Sequence, residues 1–312
     1  MKRLIVNADD FGLTKGVNRA IAELHSAGSL TSATLMANGP AFDDAVATAK
    51  KNPDLDVGCH VVLVDGEPVS AAAEISSLAV GGSAANAFQP SLGRFALGLY
   101  AGEIRESDIE HEAVAQIRKL QHAGVRITHL DTHKHTHMFP RVLRPLLRAA
   151  QATGVQALRN PFEARDAVAP GLYLPGLHRK KTPLKRGLQV GILSAMRSTF
   201  QKMVRDAAIR TTDGALGVIV TGTLNADRLA EILDRLPHGT WELVCHPGFT
   251  DADLNAVNTR LRASREIELS TLKTGVSASN LLHRGITLAD FEDLNPDALP
   301  RINRLRSMTV PK

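Results

Sequence analysis

The 312-residue chain is 44% hydrophobic, enough for one large core, and only 4% aromatic with a single Trp, which argues against a stacking surface for single-stranded nucleic acid. Its two cysteines, Cys59 and Cys245, follow neither a disulfide framework nor a zinc-ribbon spacing, and no stretch approaches the roughly 20 apolar residues of a membrane span, so a cytoplasmic, reducing setting is expected. The formal net charge of +5 is uneven: nine Lys/Arg stand against Asp206 and Asp213 between Gly176 and Gly214, so that segment carries +7 and the remainder −2, a local basicity rather than a nucleic-acid-binding surface.

In chain order, Arg3–Val6 reads as a short apolar strand. Val17, Ala20, Ile21 and Leu24 follow helical spacing, with Thr14 as N-cap and Gly28 past the end. Leu30–Ala37 is a second strand, Ala41–Lys51 a helix and Asp56–Leu63 a third strand. Residues 65–102, rich in Ala, Gly and Ser, are expected to be irregular with short helices at most. Ser107-x-x-Glu110 reads as a capping box ahead of a helix with Ile109, Ala113, Ile117 and Leu120 on one face. Arg126–Leu130 is a strand running into a histidine-rich stretch. Pro140 starts a helix that Gly154 ends, and Pro145 predicts a kink or a late start. Gln156–Arg159 is a strand, and a basic helical insertion follows at about 165–214. Leu216–Thr221 and Trp241–Cys245 are strands flanking a helix at Ala226–Arg235, and Val257–Thr274 is a helix. This alternation predicts an α/β fold: parallel strands with right-handed crossovers, six to eight units closing into a barrel, in one domain spanning 1–312. The polar clusters come just after strands, and the carboxyl ends of parallel strands share one rim, where barrel active sites sit.

Residues 129–137 read His-Leu-Asp-Thr-His-Lys-His-Thr-His and hold four of the 12 histidines. If they are extended, alternation aims Asp131 and all four imidazoles at one face, which suits a divalent metal or proton transfer. Asp9-Asp10 is a carboxylate pair at a strand end. The two repel unless a cation or proton intervenes, and they diverge unless the chain turns, which Gly12 permits. His60 and His246 each follow a cysteine at the end of an apolar strand, and alternation turns the cysteine away from its histidine. Asp10, His60 and His133 supply the three protein ligands of a catalytic metal site. Asp9 is then the candidate base, His246 the candidate acid, and Arg159 either orients Asp9, stabilises an oxyanion or forms only a surface salt bridge.

Four blocks, Asn7-Ala8-Asp9-Asp10-Phe11-Gly12, Gly58-Cys59-His60, Thr128 to Pro140 and Cys245-His246-Pro247-Gly248-Phe249, resemble in order and spacing the YdjC-type carbohydrate deacetylases, which include the chitooligosaccharide deacetylases. The resemblance implies a distorted TIM-like β/α barrel, one divalent metal and hydrolysis of an N-acetyl group from an amino sugar. It maps the metal ligands onto Asp10, His60 and His133 and the base onto Asp9. His246 as acid follows from likeness to the wider polysaccharide-deacetylase mechanism. Relatives are commonly described with magnesium, whereas two histidines and one aspartate suit zinc. Asp131 is expected to support a ligand, and His135 and His137 to line the cavity or orient neighbours. Thr132 and Lys134 depart from the usual Ser and histidine run, and Lys134 bears on the substrate rim.

The basic segment 176–214 departs from the shorter chitooligosaccharide enzymes. Leu188, Ile192, Met196, Phe200 and Met203 form an apolar stripe among Arg197, Lys202 and Arg205, fit either to pack on the barrel or to lie on an anionic membrane. The membrane reading would suit a lipid-linked amino sugar, the substrate type of the hopanoid-associated branch. Two further readings are a metal-dependent phosphoesterase, which would need a second metal or a phosphate-cradling loop where no Gly-rich P-loop is found, and a non-catalytic membrane- or nucleic-acid-associated binding protein, which leaves Asp9, Asp10 and the histidine cluster unexplained. Oligomeric state is open.

Overall fold

In the computed structural model, residues 1–80, 87–163, 183–299 and 301 are described, with backbone alone for 183–194. The strands are β1 (Lys2–Phe11), β2 (Ser32–Leu35), β3 (Asp56–Val61), β4 (Ala79–Val80), β5 (Ala87–Phe88), β6 (His129–Thr132), β7 (Ala157–Leu158), β8 (Arg210–Thr211), β9 (Gly214–Leu216), β10 (Gly239–Cys245) and β11 (Ile286–Ala289). The helices are α1 (Lys15–Ser26), α2 (Phe42–Lys51), α3 (Leu92–Ala101), α4 (Glu106–His122), α5 (Pro140–Thr153), α6 (Pro183–Asp206), α7 (Ala226–Asp234), α8 (Ala252–Ala256), α9 (Ala263–Gly275) and α10 (Ala278–Leu282).

Eight strands hydrogen-bond in the order β8-β7-β6-β3-β2-β1-β10-β9, every neighbour parallel. Only Thr212 and Asp213 separate β8 from β9, so one stretch borders β7 at its start and β10 at its end. That shared stretch nearly closes the path into a barrel, and a bridge from Glu163 to Ala215 adds to the seam. β11 pairs with the first half of β1, and β2 takes over from Asn7. Period-two alternation divides β1 between two environments. Leu4, Val6 and Ala8 join the core beneath the helices, whereas Ile5 packs with Ala157, Ala289 and Phe291. His129 stacks on Phe291 with ring centroids 3.6 Å apart. Gly58 makes room for that ring, since a Cβ there would lie 2.5 Å from His129 Nε2.

Several expectations shift. Residues 65–102 contain the β4–β5 hairpin and the ten-residue α3, more structure than their composition suggests. Helix α4 starts earlier than the capping box, at Glu106. Arg105 caps it without a side-chain bond, and Ser107 Oγ instead donates to Asp108. α5 begins at Pro140 and runs through Pro145, so no late start occurs. The strand read at Leu216–Thr221 lies at Gly214–Leu216, because Gly217 turns the chain with φ 90°. The helix read at Val257–Thr274 starts later, as α9 at Ala263, and the short α8 lies ahead of the read range at Ala252–Ala256.

In α6 the described part of the apolar stripe packs on the barrel. Phe200 and Val204 are buried, and Met196 and Met203 pack against the core. Those faces are therefore taken by protein rather than offered to a membrane. The side chains of Leu188 and Ile192, and residues 179–181, lie outside the described residues. Among the described residues no helix is long and apolar enough to cross a membrane.

Candidate active site

The site begins with a bulge. Between the pairs Ala8–Ala33 and Phe11–Leu35, β1 advances one residue more than β2. Asp10 takes a positive φ of 64° and Gly12 one of 96°. This is the turn that keeps Asp9 and Asp10 from diverging, and it falls on Asp10 itself as well as on Gly12. Each of the two buried carboxylates meets its own arginine.

Asp10 Oδ1 lies 3.8 Å from His60 Nε2 and 3.7 Å from His133 Nδ1, and the two imidazole nitrogens are 3.3 Å apart. Ligand atoms about 2.1 Å from one cation stand roughly 3–3.5 Å from each other, so this triangle fits a divalent ion. His60 presents only one nitrogen to it. The other, Nδ1, is held by Asp131 at 2.8 and 2.9 Å, with Thr34 Oγ1 3.3 Å away. Carboxylate support on the far nitrogen is how metal-binding histidines are oriented. Burial pushes His60 down, but Asp131, then Asp9 and Asp10, outweigh it and push the ring up to about 9. A cation held at Nε2 would take the place of that proton. Burial holds His133 down at about 4, so its imidazole is neutral and free to coordinate. A second cluster, Asp9, His60 and Asp131, shares His60, but Arg159 already occupies it. The second metal that a phosphoesterase reading asks for therefore has no vacant carboxylate pair there.

Arg159 is fully buried among three carboxylates. Nη1 and Nη2 donate to Asp9 at 2.9 and 2.6 Å, Nε donates to Glu242 at 2.8 Å, and Nη1 pairs with Asp131. Every guanidinium nitrogen is thus engaged, which supports orientation of Asp9 over both the surface salt bridge and the oxyanion role. Burial pushes the Asp9 carboxyl up, yet Arg159, followed by His60, holds it well below the usual carboxylate range. Burial drives Glu242 up to about 7 in spite of Arg159.

His246, just past the end of β10, places Nε2 3.7 Å from Asp9 Oδ2. Its backbone N–H donates to Glu268 at 2.6 Å. Three residues earlier on α9, Arg265 Nη2 donates to Asp10 Oδ2 at 2.5 Å. Burial raises the Asp10 carboxyl, but Arg265, then the histidines, hold it well below its ordinary value.

The histidine stretch does not stay extended. β6 ends at Thr132, and 133–138 form a 3-10 turn broken by positive φ at Lys134 and His135. The four imidazoles therefore scatter. His129 sits on Phe291 and only His133 joins Asp10 and His60. His137 is buried and fixed by Thr132 Oγ1, 2.7 Å from Nδ1. Burial holds His135 down at about 3. Lys134 pairs with Asp65 at 2.6 Å, tying the turn to the loop after β3. Sequence reasoning missed Thr34, Glu242, Arg265 and Glu268. Glu242 was marked by its polar side chain inside an apolar strand, whereas Arg265 carried no signal.

A model of the YdjC-like proteins matches residues 3–281. The chain belongs to that family. Among its relatives, a carbohydrate deacetylase from Geobacillus stearothermophilus is 31% identical over 290 residues, 93% of this chain and 96% of that protein. A chitooligosaccharide deacetylase from Serratia marcescens is 29% identical over 303 residues, 94% and 99% of the two chains. The fold matches a solved structure from Enterococcus faecalis V583, provisionally described as a cellobiose-phosphate cleavage protein, with TM-score 0.72, 24% identity and coverage of 94% of this chain and 98% of that one.

Proposed function

We propose that this YdjC-like protein is a metal-dependent carbohydrate deacetylase that hydrolyses the N-acetyl group of an amino sugar to acetate and a free amine. The observation that carries this reading is the triangle of Asp10, His60 and His133 beside the Asp9–Arg159 pair, at the carboxyl ends of the strands. The relatives named as carbohydrate and chitooligosaccharide deacetylases supply the substrate class. A divalent cation held there supplies Lewis acidity toward a carbonyl oxygen and water. The donor chemistry of two imidazoles and one carboxylate favours zinc over magnesium.

The protein's own groups do the proton work. Arg159 aims Asp9 by two parallel bonds, so the carboxylate is fixed before any proton reaches it. His246 Nε2 lies beside the same carboxylate, and Nδ1 is buried without a protein partner among the described residues. Asp9 takes the proton of the attacking water, and His246 delivers one to the departing amine nitrogen. The test is acetate release from N-acetylated chitooligosaccharides by metal-stripped and reconstituted protein. Activity that depends on added metal and disappears in His133→Ala is expected. Full activity without metal, or in that variant, overturns the mechanism.

A further inference from the structure

Helix α9 contributes no residue to the metal triangle, yet its Arg265 is among the largest fully buried side chains of the molecule. Nε is tied to Leu261 O at 3.1 Å and Nη2 to Asp10 Oδ2 at 2.5 Å. The stem lies against Gly248, where a Cβ would come within 3.0 Å of Arg265 Cδ, and Gly248 N donates to Arg265 O at 3.3 Å. The guanidinium is thus held at Nε and Nη2, with Nη1 buried without a partner among the described residues, and one carboxylate oxygen of Asp10 is held with it. The other oxygen, Oδ1, is the one that faces His60 Nε2 and His133 Nδ1.

We propose that Arg265 is a positioning residue for the metal: by holding Asp10 Oδ2 it leaves Oδ1 alone as a single-oxygen ligand. The inference rests on the reading of Asp10, His60 and His133 as the ligand set. It goes beyond charge balance, and the two accounts differ in sign. A guanidinium near a dication repels it, so if charge were its whole effect, removing Arg265 would tighten metal binding. If its effect is placement, removal lets Asp10 swing, and affinity falls about 10–100-fold, as with other residues that orient metal ligands. Lysine keeps the charge but cannot reproduce the clamped planar fork.

The experiment measures zinc affinity by chelator competition, and the visible spectrum of the cobalt-substituted protein, for wild type, Arg265→Met, Arg265→Lys and Asp10→Asn. Binding at least tenfold weaker in both Arg265 variants, with an altered cobalt spectrum, is expected. Wild-type or tighter binding by Arg265→Met overturns the proposal. If Arg265→Met does not fold, Arg265→Lys decides: wild-type affinity and spectrum overturn the proposal, and weakened binding with a changed spectrum supports it. Asp10→Asn separates the two levels. Unchanged affinity there removes the ligand assignment itself, whereas weakened affinity beside an unaffected Arg265→Lys removes only the role of Arg265.

Discussion

Asp131 meets His60 with both carboxylate oxygens, 2.8 and 2.9 Å from Nδ1. That contact selects the tautomer that leaves the Nε2 lone pair directed at Asp10 and His133. Asp131→Asn is therefore expected to weaken zinc binding about 10–100-fold, read by chelator competition. Unchanged affinity would mean that His60 is oriented by something else.

Arg159 neutralises part of a buried cluster in which Asp9, Asp131 and Glu242 all converge. Arg159→Met keeps much of the volume and leaves those carboxylates without a cation. Removing one partner from such a cluster costs about 3–5 kcal/mol, so the urea midpoint should drop by that equivalent and acetate release should fall with it. A variant as stable as wild type would show that the carboxylates are protonated rather than paired.

His246→Ala tests the separation of proton transfer from metal binding. The variant is expected to keep wild-type metal stoichiometry while kcat falls about 10²–10⁴-fold. Loss of metal in parallel with activity would place His246 among the ligands instead.

At the opposite end of the barrel, burial and then Asp290 push the Asp56 carboxyl from its ordinary 3.8 up to about 7. The folded protein holds a proton there that the unfolded chain releases above its lower pKa. Stability from this group is thus present at acid pH, is lost as pH rises toward about 7, and is flat beyond. Asp56→Asn, which can still accept the Phe291 N–H bond made by Asp56 Oδ2, should stabilise the protein at pH 8 more than at pH 5. Urea unfolding at the two pH values reads the difference; an equal effect at both would contradict the shift.

Much of the site was legible because strand alternation carries it. The Cys–His pairs at 59–60 and 245–246 place one residue in the core and the other toward the rim, as the burial of both cysteines bears out. The alternation rule failed where the backbone departs from an extended form. At Asp10 a bulge reverses it, and after Thr132 the 3-10 turn scatters histidines that would otherwise share a face. Arg265 was illegible for another reason. It reaches Asp10 across 255 positions of sequence, and nothing local distinguishes it from its sequence neighbours Arg260 and Arg262, which lie just ahead of α9. The barrel was predictable from element order, but its seam was not: β8 and β9 are too short to announce that one stretch borders two strands.

The strand that carries Asp9 and Asp10 precedes two of its partners by most of the described fold. Its partners β10 and β11 begin more than 230 residues later. Pairings so distant in sequence are slow to form and leave a strand edge open while they wait. All three candidate metal ligands lie within the first 133 residues, yet Arg265, which holds Asp10, lies 255 positions beyond it. Rigidity at Asp10 thereby depends on elements that β1 must wait for, and a cation captured before they pair would meet a looser set of ligands.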